Sequence, residues 1–336
     1  MKSIRPFSIH GKNNFPSWPS FEPDELGAVL NVLKSGKVNQ WTGAEVVSFE
    51  KEFAEYLGVR YAIAVANGSV ALDIALSVLG IGPGDEVIVT PRSFVASASC
   101  IVLRGATPVF VDVDRDSQNI TVEAVDSAIS SRTKAVIAVH LAGWPCEMEA
   151  LKSLCGRHGL YLIEDCAQAH GARVGGKPAG SFGDVAAFSF CQDKIMTTGG
   201  EGGMLVTDNE ELWKRAWSFK DHGKDYDAVF HNEHPEGFRW LVKSFGTNFR
   251  MTEMQAAIGR IQLKKLDAWV SKRRRLASIL TEGFKQFDAL RVTCPPEHVY
   301  HSYYKYYVFA EPKKLNKGWS RDRILASLSE RGIPCG

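Results

Sequence analysis

The run YLIEDCAQAHGARVGGKPAGSFGDVAAFSFCQDKIMTTGGEGGMLVTD, residues 161–208, decides the fold. It opens with a short apolar strand that ends on Asp165. Two further β-rich runs follow at 184–190 and 202–208, separated by a turn holding Gly199, Gly200, Gly202 and Gly203. Two strands in quick succession, with no helix between them, imply an antiparallel pair. Upstream the rhythm is different. YAIAVAN is followed by SVALDIALSVLG, EVIVTP by SFVASASCIVLRG, TPVFVDV by TVEAVDSAIS, and KAVIAVH by EMEALKSLCGRHG. Strands that are nearly continuous apolar runs, each followed by a helical stretch, belong to a mostly parallel sheet covered on both faces. The expected fold class is α/β, with a three-layer α/β/α large domain.

Amphipathic helices are expected over 22–34, with Pro23 in the first turn, and over 45–57, stopping at Gly58. Residues 222–247 show little periodicity and read as a long loop, which in a compact domain is usually functional. A long helix follows Thr252. Then come a strand over 303–311, YYKYYVFAE, and a helix over 321–330. Residues 1–250 therefore read as the large domain. Residues 251–336 read as a linking helix and the start of a smaller C-terminal α+β domain.

The bulk numbers exclude several classes. The chain has 336 residues, enough for a large and a small domain, and 45% hydrophobic and 23% charged residues are ordinary for a globular protein. A net charge of +2 gives no electrostatic reason for nucleic acid, and the basic run at 272–275 reads as a solvated helix face. The N-terminal residues have no apolar signal-like segment, and the most apolar window, 61–80, is too interrupted to span a bilayer. Seven cysteines without a CxxC pair point to reduced thiols and a cytoplasmic location. The nine histidines show no HxxxH or HxH spacing, so no metal is expected.

Four segments carry candidate chemistry. Lys194 follows the strand at 184–190, beside a glycine turn whose backbone freedom suits close approach to a ligand. It reads as a phosphate clamp, as the amine of a Schiff base, or as a surface lysine. Asp165 ends its strand, where ligands of open α/β sheets bind; it could hold a pyridine nitrogen protonated or cap the next helix. Gln168 follows within reach of a ring oxygen. Asn67, Gly68 and Ser69 precede a helix opening with Val70, a natural phosphate seat as well as an ordinary cap. Ser189 could add a hydroxyl, and Phe94 could stack on a flat ring or lie in the core.

Together NGSVALDIAL, EDCAQAHGA, SFCQDKIMTTGGEGGM and NFRMTEMQAAIG resemble the hallmark motifs of the DegT/StrS-type nucleotide-sugar aminotransferases, from about Gly36 onward. The resemblance implies the fold type I architecture of pyridoxal-phosphate transferases, with Lys194 bonded to the cofactor aldehyde and Asp165 facing its ring nitrogen. It implies Gln168 near the ring hydroxyl, Phe94 stacked on the ring, and Gly68, Ser69 and Ser189 on the phosphate, with Val70 among the cofactor contacts. Asn248 would reach the phosphate of a neighbouring subunit, giving a homodimer with shared sites. The implied activity moves the amino group of glutamate to a keto-sugar nucleotide for amino-sugar and surface-glycan biosynthesis. A sister group that dehydrates sugars carries histidine in place of the lysine. The chain departs from the family at Cys191-Gln192-Asp193, at the extra glycine of 199–200, and in stopping where members continue, which implies an incomplete small domain.

Overall fold

The computed structural model describes residues 15, 17–234, 236–237, 239 and 241–336. The signal-segment reading of the first residues falls outside them. Two helices come first, α1 (Pro23–Ser35) and α2 (Glu45–Leu57), each closed by a left-handed glycine, Gly36 and Gly58. Strands β1 (Tyr61–Val65), β2 (Glu86–Val89), β3 (Thr107–Phe110), β4 (Thr133–Val139) and β5 (Tyr161–Asp165) then alternate with α3 (Gly68–Val78), α4 (Ala96–Leu103), α5 (Val122–Ala128) and α6 (Met148–His158). A two-residue ribbon, β6 (Arg173–Val174) and β7 (Lys177–Pro178), leads to β8 (Val185–Ser189) and β9 (Gly203–Thr207).

Seven of these strands form one sheet in the order β1-β9-β8-β5-β4-β2-β3. Only β9 runs against its neighbours, as the short 184–208 connection required. The strands alternate faces residue by residue. Ala62 and Ala64 of β1 pack with α2 through Phe49 and Phe53, whereas Ile63 and Val65 pack with α3 through Leu72 and Ile74. Both faces are thus buried, which explains the unbroken apolar strands. The chain turns to opposite sides of β2 on reaching β3 and β4, so a crevice opens at the carboxyl ends of the strands.

Beyond the sheet lie α7 (Glu210–Lys220), α8 (Tyr226–Phe230) and the long α9 (Glu253–Phe284), which packs on α1 and α2. The expected loop at 222–247 therefore contains one short helix, capped by Asp225 accepting the Ala228 N–H. The chain continues through β10 (Leu290–Val292), β11 (Val299–Tyr300), β12 (Val308–Ala310) and α10 (Arg321–Glu330). The strand expected over 303–311 shrinks to β12. Tyr303 takes a left-handed φ of 50°, and the N–H groups of Ser302 and Lys305 donate to Gly143 and Ala142 carbonyls. These tertiary bonds override an aromatic-rich β pattern. The basic run is not merely a solvated face: Arg274 donates to the His301 carbonyl at 3.0 Å, and Arg273 reaches those of Tyr303 and Tyr304 at 3.4 and 3.5 Å. Among the described residues, no helix is long and apolar enough to cross a membrane.

Candidate active site

A cavity of about 830 Å³ opens at the carboxyl ends of β2, β5 and β8 and at the start of α3. Asp165, the last residue of β5, stands in its wall and is almost fully buried. Its Oδ2 accepts a 2.6 Å hydrogen bond from Ser97 of α4, and its Oδ1 accepts the Ala167 N–H at 3.1 Å. Ser93 Oγ lies 2.6 Å from Ser97 Oγ and extends this chain of hydroxyls.

The preceding residue, Glu164, points to the other face of the sheet and braces the strand end. It accepts the N–H groups of Gly180, Phe182 and Gly183. His140 Nδ1 accepts the Cys146 N–H, so its Nε2 carries the proton and donates to Glu164 at 3.0 Å. Burial opposes ionisation of Glu164, but the hydrogen bond from His140 and the backbone donors hold the carboxyl below its ordinary pKa. His140, Glu164 and Cys166 lie close enough together for a metal. Their histidine and glutamate atoms are already committed to these bonds.

The anion seat forms where α3 begins. Asn67 caps the helix by accepting the Val70 N–H at 2.9 Å, while Ser69 and Ser189 line the cavity beside Gly68. A Cβ on Gly68 would stand 2.6 Å from Ser189 Cβ, and one on Gly203 would stand 2.5 Å from the Asn67 carbonyl oxygen. Glycine at both positions is what lets the helix N-terminus settle onto β8 and β9. Hydroxyls, backbone donors and the positive helix end then line the same end of the cavity.

Lys194 enters from the loop after β8, its side chain 14% exposed. Its Nζ lies 3.3 Å from Asp193 Oδ1 and 3.4 Å from the Tyr304 hydroxyl, and Tyr304 donates to Asp193 Oδ2. Burial opposes ionisation of Asp193, but the Tyr304 hydrogen bond and the Lys194 charge hold its carboxyl below the ordinary range. Burial, followed by Asp193, raises the Tyr304 phenol well above its usual value. Gln168 Oε1 accepts the Ala142 N–H at 2.7 Å, leaving its amide group as the free donor. Phe94 stands over the mouth, 69% exposed, an aromatic plate with nothing packed on most of its surface.

Of the residues singled out in the sequence, Lys194, Asp165, Gln168, Gly68, Ser69, Ser189 and Phe94 line this cavity. Val70 and Asn248 do not. Val70 packs against the core beneath α3, and Asn248 is an exposed residue whose backbone bridges to Asp221. Lys220, the last residue of α7, is fully buried and bonded to Gln40 at 3.1 Å, with Glu50 at 3.6 Å. Ser97, Arg92 and Tyr304 escaped the sequence reading as individual site residues, since nothing local to their segments distinguishes them from core or surface.

The chain's similarity to known proteins agrees with this geometry. The model of the DegT/DnrJ/EryC1/StrS aminotransferase family matches residues 19–336. The GDP-perosamine synthase of Vibrio cholerae is 40% identical over 286 residues, covering 85% of this chain and 74% of that protein. The aminotransferase from Psychrobacter cryohalolentis superposes with a TM-score of 0.94 at 52% identity, covering 96% of this chain and 84% of that one. The GDP-4-keto-6-deoxymannose-3-dehydratase ColD, solved with bound GDP-perosamine, has a TM-score of 0.85 at 28% identity, covering 95% and 85%.

Proposed function

Because the chain belongs to the DegT/DnrJ/EryC1/StrS aminotransferase family, we propose that it transfers the amino group of glutamate to the keto carbon of a nucleotide-linked sugar, with pyridoxal phosphate carried on Lys194. One observation carries the reading: the Lys194 amine, the Asp165 carboxylate and the Gly68–Ser69–Ser189 anion seat share a single cavity. An amine, an acid and a phosphate seat are the donor set that pyridoxal phosphate needs, and the residues fit it.

When bound, the cofactor supplies an aldehyde for covalent capture of amines and a ring that withdraws electrons. The side chains do the rest. Asp165, fixed by Ser97 and Ala167, would keep the ring nitrogen protonated through its opposite charge. Ser69, Ser189 and the first amides of α3 hold the phosphate. Gln168 would offer its amide to the ring hydroxyl, and Phe94 would cover the ring face and exclude water. Lys194 Nζ, when not bonded to the aldehyde, would be the base and acid that moves a proton at the donor's α-carbon and, in the opposite direction, at the reacting carbon of the sugar.

The products belong to amino-sugar and polysaccharide biosynthesis, in keeping with relatives named for GDP-perosamine. Further parts of the proposal are a cytoplasmic location, a homodimer in which Asn248 reaches the partner's phosphate, and a division into a large domain over 1–250 and a linking helix with a partial small domain over 251–336. The test uses purified protein loaded with cofactor. Glutamate should bleach its visible absorbance, and a panel of keto-sugar nucleotides should restore it with formation of amino-sugar. A Lys194→Ala protein that still turned over glutamate would overturn the assignment. Consumption of the sugar by dehydration, without amination, would favour the chemistry for which ColD is named.

A further inference from the structure

Asp193 and Tyr304 have no part in cofactor binding as proposed above, yet they supply the polar contacts of the Lys194 amine among the described residues. The three groups close a ring. Tyr304 gives its proton to Asp193, which leaves the phenol oxygen free to accept from Nζ, and Asp193 Oδ1 accepts from Nζ on the other side. Two of the three ammonium donors thus have fixed acceptors. An isolated pair with the half-exposed Asp193 would be worth little. Tyr304 makes the arrangement more than that, because it is buried and comes from a segment 110 residues away.

That segment is itself held in place. Arg273 and Arg274 of α9 bond the carbonyls of Tyr304, Tyr303 and His301, and Tyr303 turns through a left-handed backbone. The other charged or titratable groups on the cavity wall are Asp165 and Glu201, Arg92 and Lys305, Cys191 and Tyr307, and the buried, neutral His170 lies close to Lys194. Asp165 is taken by Ser97 and Ala167, and Arg92 donates to Gln118.

We propose that Asp193 and Tyr304 form a docking seat for the free amine of Lys194. They hold its Nζ inside the cavity when it is not bonded to the cofactor, as the base before it takes a proton and as the ammonium after. Both are positioning residues. The seat keeps a flexible four-carbon side chain from wandering during the half of the cycle in which the amine is released, so its loss slows the return of the lysine more than the capture of amino donor. The cycle is that of the aminotransferase reading; the seat itself is a property of the cofactor-free chain.

The first test therefore needs no cofactor. Lysines of the cofactor-free protein are labelled with a limiting amine-reactive reagent at fixed pH, and rates are read residue by residue from peptide masses. Losing one charged contact and one hydrogen bond should raise the Lys194 rate by up to about tenfold in Asp193→Asn and about threefold in Tyr304→Phe. Other lysines should be unchanged, which also reports correct folding. Asp193→Glu should restore part of the protection. In the loaded enzyme, Asp193→Asn should lower kcat with little change in KM for glutamate. Equal Lys194 labelling in the native, Asp193→Asn and Tyr304→Phe proteins would overturn the seat. A native enzyme that glutamate leaves unbleached would instead count against the aminotransferase reading, with the labelling result still standing.

Discussion

Ser97 and Asp165, 68 residues apart, meet through a 2.6 Å hydrogen bond at the floor of the cavity. The serine sits on α4, behind β2, and the aspartate ends β5. The bond orients the carboxylate toward the ring it is proposed to face. Ser97→Ala should weaken cofactor binding by the worth of one hydrogen bond to a charged group, about 1.5–3 kcal/mol or roughly 10- to 150-fold in Kd. Titration of cofactor-free protein with pyridoxal phosphate, followed by absorbance, measures it. An unchanged Kd would show that Ala167 alone orients Asp165.

Gly68, at the start of α3, lies directly against Ser189 of β8. An added methyl group would have to displace Ser189 Cβ from 2.6 Å, with the strand backbone only 3.1 Å away. Gly68→Ala should destabilise the fold by about 1–3 kcal/mol through overpacking and should loosen phosphate binding as well. Thermal unfolding reads the first effect, and competition by inorganic phosphate for the cofactor reads the second. A variant with native Tm and native affinity would contradict the packing argument.

Glu253, the first residue of α9, is buried and accepts the N–H groups of Glu45 and Val46 at 2.6 and 3.2 Å. It thereby caps α2 from another helix. Glu253→Ala leaves one buried and one half-buried donor unpaired, and urea unfolding should show a loss of about 2–4 kcal/mol. Glu253→Gln retains an acceptor and should lose less. Equal losses in the two variants would make the side chain's bulk, not its hydrogen bonding, the stabilising element.

Acid should weaken the fold before its carboxylates titrate. Burial, aided by the Lys194 charge, lowers the His170 pKa from 6.5 to about 3, and burial also brings His301 to about 3. A folded-state pKa below the unfolded one means that the unfolded chain binds more protons between those values. The stabilising contribution is complete above pH 6.5 and is lost progressively as pH falls toward 3. Each histidine adds a slope of up to about 1.4 kcal/mol per pH unit in that window. Urea midpoints at pH 7, 6 and 5 should therefore fall steadily, and His301→Gln should flatten the trend. An identical slope in that variant would remove His301 from the account.

What the sequence by itself determined is the layered sheet and most of the cavity wall. Apolar strands alternating with amphipathic helices admit few arrangements. In any of them, residues that end parallel strands, such as Asp165 and Ser189, must gather at one edge. The glycines at 68 and 203 announce a close approach without naming the partner. Only the tertiary structure decided which distant side chains complete the site. Ser97 came to Asp165 because α4 packs behind β2, and Tyr304 came to Lys194 because Arg273 and Arg274 bend an aromatic run out of its strand pattern. Lys220 became a buried amine because Glu50 and Gln40 await it across the fold. Local periodicity records which face a residue turns inward; it carries no record of the residue that will be met there.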